Sequence, residues 1–137
     1  MSASSRTIEH TGEWRVEAHA DTLEEIFQEF ARVIAGAAGT ASGSYAPWEE
    51  IDIEARDLDA LLVDCANELV GRGEVEGRAY DDLRDIVIHV DARPRLHARL
   101  RGRPVTGLRS PLKAATYHGA CVSRHGDRWR ANLLFDV

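Results

Sequence analysis

Alternation of apolar and polar positions marks the first readable element. From Glu13 to Ala20, Trp14, Val16, Ala18 and Ala20 fall on one side, with Glu13, Arg15, Glu17 and His19 on the other. A period of two is the signature of a strand buried on one face. The period then changes. Thr22 and Glu25 have capping-box spacing, and Leu23, Ile26, Phe27, Phe30 and Ile34 recur at helical intervals. They predict an amphipathic helix to about Gly36. The Gly-, Ala- and Ser-rich stretch 36–47 reads as a flexible loop. Trp48–Ala55 alternates again around Ile51 and Ile53. Asp57 is placed to cap a second helix, with Leu58, Leu61, Leu62, Cys65 and Leu69 as its apolar stripe and Gly71 and Gly73 as its end.

Arg84–Val90 and Arg95–Arg101 are strand-like runs on either side of a turn containing Pro94. Gly102–Pro111, with two Pro and two Gly, reads as loop. A closing hairpin is predicted to pair Tyr117–Arg124 with Arg128–Asp136 across His125-Gly126-Asp127. Two amphipathic helices and about six strands predict an α+β fold, both helices packed on one face of a single sheet. The 137 residues suffice for one domain, 1–137, with a real core; its polar start, 1–7, is expected to be disordered.

Composition narrows the setting. No apolar run is long enough to cross a bilayer, and the polar start lacks a secretory signature. Cys65 and Cys121 stand apart without CxxC spacing and are expected to stay reduced. These features predict a cytoplasmic protein that does not engage membranes. The net charge of −6 hides an asymmetry. Residues 93–130 carry nine arginines and Lys113 against a single acid, Asp127, while residues 1–92 carry seven arginines against twenty-one acids. Such a basic segment either steers toward phosphate or an acidic partner, or is neutralised by acidic strands within the fold. Only Tyr117 and Trp129 offer stacking rings within it, weak support for a nucleic-acid platform.

The densest chemistry lies in Lys113–His118, where an amine, a hydroxyl (Thr116), a phenol (Tyr117) and an imidazole (His118) share six positions. Lys113 is the only lysine, against sixteen arginines. A chain that uses arginine for nearly every cation has reason to place a compact, deprotonatable ammonium where a planar fork would not serve. A second cluster is Glu9-His10-Thr11-Gly12-Glu13, before the first strand. A third is Asp136 beside the terminal carboxylate of Val137: two hard oxygen donors suited to Ca²⁺ or Mg²⁺, given a third acid alongside. Strand parity leaves Glu13 and Asp136 each opposite the apolar set of its own strand, so both can sit on the polar side of adjoining strands. The chain has no G-x-G-x-x-G, Walker A or H-E-x-x-H motif and no zinc-like Cys/His spacing. Nothing around Ser110, Ser123 or the six histidines supports a catalytic triad, and His89 and His97 read as structural.

Taken together these residues resemble the archease family, from Ile8 to Val137. The carriers are Glu9-His10-Thr11, Asp21-Thr-Leu-Glu-Glu, Asp57 to Asp64 with Asn67-Glu68-Leu69, Lys113-Ala-Ala-Thr-Tyr-His-Gly119, and the ending Phe135-Asp136-Val137. The resemblance implies a compact α+β fold and an accessory role to the GTP-dependent tRNA-splicing RNA ligase, which joins 2′,3′-cyclic-phosphate or 3′-phosphate RNA ends to 5′-hydroxyl ends. The accessory protein would promote guanylylation of the ligase's histidine and so its repeated turnover, touching RNA only indirectly or weakly and catalysing nothing itself. Lys113, Thr116, Tyr117, His118, His10 and Thr11 would be its partner-activating residues. Glu13, Asp136 and Val137 would hold a divalent metal, Ca²⁺ by expectation. Where the family usually reads Thr-Ala-Asp, this chain has Thr11-Gly12-Glu13, one methylene longer. Two alternatives stand beside this reading. One is a divergent metal-binding adaptor or chaperone-like module for another partner. The other is a small metal-dependent hydrolase built on Glu13, Asp136 and His118, which would require a deep pocket.

Overall fold

A computed structural model describes residues 3–10, 12–107 and 112–137, His10 by its backbone alone. In chain order it contains β1 (Ser4–His10), β2 (Glu13–Ala20), α1 (Leu23–Ala38), β3 (Thr40–Ala41), β4 (Glu49–Glu54), α2 (Leu58–Glu76), β5 (Arg78–His89), β6 (Arg95–Thr106), β7 (Ala114–His125) and β8 (Arg128–Asp136). The α+β class stands, but among the described residues eight strands form two four-stranded sheets rather than about six forming one. The first sheet runs β1-β2-β8-β7, antiparallel throughout. In the second, β6 pairs with β5 and also with β4 and β3 at successive stretches of its length.

The helices form as their caps and stripes require. Thr22 Oγ1 accepts the Glu25 N–H at 3.2 Å, and Leu23, Ile26, Phe27, Phe30 and Ile34 of α1 are buried. Asp57 accepts the Ala60 N–H at 2.8 Å, and Leu61, Leu62, Cys65 and Leu69 of α2 are buried. The expected end of α2 is corrected: the helix passes through Gly71 and Gly73 to Glu76. Gly77 then caps it at a φ of 65°, a left-handed conformation that costs glycine nothing. The helices pack on each other and share one core with both sheets, from Val16, Leu133 and Phe135 on one side to Leu83, Leu96 and Leu100 on the other.

Other boundaries also move. Residues 4–7, expected to be disordered, lie in β1. That strand has no apolar face; the backbone ladder to β2 and the ion pair of Arg6 with Glu17 hold it instead. The 36–47 stretch contains the end of α1 and β3, and is tied to β6 by Ser42 N–H to Pro104 O (3.0 Å) and Ala46 N–H to Gly102 O (2.9 Å). Of the expected loop 102–111, residues 102–106 continue β6, and 108–111 lie outside the described residues. The closing hairpin starts earlier than expected, at Ala114. It turns through Gly126 and Asp127 alone, because His125 already pairs with Arg128.

Candidate functional site

The register of the first sheet brings the start of β2 against the end of β8. Glu13, at the start of β2, pairs with Asp136, at the end of β8, and Asp136 pairs on its other side with Ala114 of β7. Directly paired residues share a face, their Cβ atoms about 5 Å apart. Both carboxylates therefore project together from the outward side, opposite buried Phe135, which anchors the strand. Both residues are exposed, and neither carboxylate has an ion-pair partner among the described residues. The Val137 N–H donates to Gly12 O at 3.3 Å, and the residue packs partly against the core, so the last residue is held beside the same corner. The backbone N–H of Lys113 donates to Asp136 O at 2.8 Å.

Such a corner suits a hard cation. Two carboxylates directly opposite each other on neighbouring strands repel unless something positive lies between them. Among the described residues no third His, Cys, Asp or Glu side chain converges there. The protein's further donors would be the terminal group of Val137 or backbone oxygens, with water completing the six to eight oxygens that Ca²⁺ takes.

The Lys113–His118 stretch is distributed over two faces. Strand alternation puts Thr116 on the same side as Asp136 and turns Lys113 and Tyr117 the other way. Lys113 is exposed, without an ion pair among the described residues, and with Leu112, Val137, Leu69, Arg78 and Glu74 it lines a cleft of about 520 Å³ at the ends of both helices. Beyond Thr116 the pairing of β7 with β8 slips and resumes at Cys121. Gly119 adopts a φ of 74° in this bulge, where a Cβ would stand 3.2 Å from Leu134. His118 is exposed, and its carbonyl accepts the Thr116 hydroxyl at 3.3 Å. Thr11 lies outside the described residues; His10 pairs with Glu13 through the backbone.

Sequence reasoning assigned no role to the residues that hold this stretch. Asn67 of α2 grips the backbone of Ala115 twice, donating to its carbonyl at 3.0 Å and accepting its N–H at 2.7 Å. Asp59 accepts the Val122 N–H at 2.8 Å. The Tyr117 hydroxyl donates to the Asp64 carboxylate, while Arg56 lies 5.3 Å from the centroid of the 51%-exposed Tyr117 ring. The hydrogen bond to Asp64, and then burial, raise the phenol's pKa above its ordinary value. One polar edge of α2 thus caps the free edge of β7. The signal was present as polar residues flanking the apolar stripe of α2, but such residues are usually solvated, and only the packed fold distinguishes these.

The basic segment is largely neutralised within the fold. Arg95 grips Asp52 with two contacts of 3.0 Å, Arg93 meets Glu54, Arg99 meets Asp85, Arg101 meets Asp82 and Arg103 meets Asp81. Arg99, Arg101 and Arg103 interleave with the rings of Trp48 and Tyr45 at 4.2 to 5.0 Å, a ladder whose aromatics lie outside the basic segment. Cys65 is buried and its thiol is pushed up to about 12 by that burial; Cys121 is exposed and both are free. Among the described residues no helix is long and apolar enough to cross a membrane.

A hydrolase on Glu13, Asp136 and His118 fares poorly here. None of the three lines the 520 Å³ cleft, and the two acids stand on an exposed strand end.

Comparison with known proteins agrees with the fold. The model of the archease protein family matches residues 6–137. The protein archease of Methanopyrus kandleri is 32% identical over 136 residues, covering 95% of this chain and 96% of its own. That of Pyrococcus furiosus is 27% identical over 135 residues, covering 94% and 95%. Among solved structures, a Methanobacterium thermoautotrophicum protein shares the fold with a TM-score of 0.76 at 19% identity, over 97% of this chain and 98% of its own. A Thermotoga maritima archease, described as a possible chaperone, does so with a TM-score of 0.63 at 20% identity, over 96% of each chain.

Proposed function

This chain belongs to the archease family, and on that premise we propose that it activates the GTP-dependent tRNA-splicing RNA ligase as an accessory factor rather than as a catalyst. One observation carries the reading. The stretch beginning at Lys113 is fastened by its backbone to Asp136, which faces Glu13, so the lone lysine and the paired carboxylates stand at one end of the sheet on its opposite faces. Glu13, Asp136 and the terminal group of Val137 would hold a divalent cation, Ca²⁺ by preference, which would supply positive charge between two facing anions and stiffen the strand ends. Lys113 would present a compact ammonium to the ligase from the mouth of the cleft. Thr116, Tyr117 and His118, with His10 and Thr11, would complete the contact surface. The clamp from α2 would keep that surface in one shape before the partner arrives, reducing the ordering cost of binding. The description of the Thermotoga protein as a possible chaperone accords with action on a protein partner.

The test is ligation of 2′,3′-cyclic-phosphate ends to 5′-hydroxyl ends by the cognate ligase over many turnovers. Substoichiometric amounts of this protein are expected to raise both the turnover number and the yield of ligase–GMP. Alone it is expected to join no RNA and hydrolyse no GTP. Unchanged kinetics with an active ligase would refute the proposal.

A further inference from the structure

The outward face of the first sheet has a second end. One rung crosses all four strands: Ser4 pairs with His19, His19 with Arg130, and Arg130 with Ser123. Two positions along β7, His125 lies on the same face with Nε2 3.0 Å from the Ser123 hydroxyl. Hydroxyl, imidazole, guanidinium and hydroxyl therefore stand side by side, about 4.8 Å from strand to strand.

Arg130 is the anomaly. It is exposed, and among the described residues it is the arginine without a carboxylate, carbonyl or ring partner. Of the acids near it, Asp127, in the turn between β7 and β8, makes no ion pair with it, and the other two are committed elsewhere. Glu17, on the next outward position of β2, is taken by Arg6 and Arg15, and Asp21 binds Arg128 at 3.0 Å. The acidic pair Glu13–Asp136 lies six residues from this rung along each strand, about 20 Å away.

We propose that Ser4, His19, Arg130 and Ser123, with His125, form a binding site for a phosphate group, as monoester or diester. A carboxylate would be satisfied by the guanidinium fork alone. A tetrahedral oxyanion has further oxygens, and the flanking hydroxyl and imidazole donors are spaced to reach them. The only rings at the rung are the imidazoles of His19 and His125, and it has no Phe, Tyr or Trp platform, so recognition goes through the phosphate and not through what it is attached to. This site is separate from the acidic corner, and its fate does not depend on the ligase reading.

The experiment is an amide-resolved NMR titration of the full chain with two probes, inorganic phosphate and a single-stranded octauridylate. Saturable shifts centred on His19, Ser123 and Arg130 are expected with at least one probe. Arg130→Gln should weaken that binding about tenfold, as expected for one lost charge-assisted contact. Arg95→Gln, on the other sheet, should leave it unchanged. The probes separate the sources. If inorganic phosphate binds as tightly as the oligonucleotide, the ligand is a free phosphate or monoester. If the oligonucleotide binds tighter, with a log–log salt slope that falls by about 0.7 in Arg130→Gln, the ligand is a nucleic-acid backbone. Should Arg130→Gln misfold, the His19→Ala, Ser123→Ala double variant is read in the same way. Absence of saturable shifts at the rung with both probes would overturn the proposal. So would shifts centred on Lys113, or parental affinity in the variants.

Discussion

On β6, Arg95, Arg99, Arg101 and Arg103 each meet an acid from β4 or β5, whereas on β8 Arg130 meets none and Asp136 faces another acid, Glu13. The second sheet closes its charges inside the fold; the first leaves like charge at one end of its outward face and unpaired positive charge at the other. Arginine count alone left the segment 93–130 open to two readings, a ligand surface or charge neutralised within the fold. The pairing shows that most of that charge is structural, and that the residues worth testing are those the fold leaves uncompensated.

The sharpest way to break this comparison is at the acidic corner. Lys113→Arg is expected to lose most ligase activation while keeping the fold, since a planar guanidinium replaces a compact amine. Multiple-turnover ligation with a melting curve checks it. Parental activation by Lys113→Arg with none by Lys113→Ala would reduce the role of Lys113 to charge. Next in size, Asn67→Ala removes both side-chain bonds to Ala115 and leaves a largely buried N–H and C=O unsatisfied, a cost of about 2 kcal/mol in urea unfolding. A change within error would mean that α2 does not hold β7.

The compensated sheet makes its own prediction. Burial alone would raise the pKa of Asp82, but hydrogen bonds and charge from Arg101 and Arg84 outweigh it and hold the carboxyl below its usual value. A depressed folded-state pKa contributes stability above the unfolded value, about 3.9, and that contribution is lost as pH falls through the folded value. Asp82→Asn should therefore cost about 1 kcal/mol at pH 7, discounted because both arginines are partly exposed. Its deficit should shrink in acid below about pH 4. A deficit independent of pH would argue for packing rather than charge. Smallest of all, Glu13→Gln should stabilise the metal-free protein by a few tenths of a kcal/mol, because it removes a facing like charge. Denaturation in EDTA measures it, and destabilisation would mean that the two acids do not repel.

Periodicity exposed the elements that bury a stripe: β2 through Val16 and Ala18, α1 through Phe27 and Phe30, α2 through Leu61 and Cys65. It missed β1, whose Ser4–His10 carries no apolar face and forms through backbone pairing, and β3, a two-residue bridge to β6. It also missed the first half of β5. There Ala79, Tyr80, Asp82 and Leu83 are all buried and the register shifts between Ala79 and Asp82, so an irregularity in the pairing erases the period of two. At the site, parity was enough to allow Glu13 and Asp136 a common face, because alternation survives any register that keeps the buried set inside. That they are direct partners depends on which strands adjoin, and β2 next to β8 is a long-range choice that no local pattern encodes. The two-faced division of Lys113 from Thr116 was not legible, because the strand was expected to begin only at Tyr117, and neither was the grip of Asn67 and Asp64 on β7.

The claim that uncompensated charge marks function is tested most directly by calorimetric titration of Ca²⁺ into three forms: the parent, Glu13→Gln, and a chain with residues appended after Val137. The appended chain turns the terminal carboxylate into a neutral peptide carbonyl and leaves Asp136 intact. The parent is expected to bind one ion, and each altered form about tenfold or more weakly, since the loss of even an outer-shell group reaches that size. Thermal stability should rise with Ca²⁺ most in the parent. Equal affinity in all three forms, or no binding to the parent, would contradict the account.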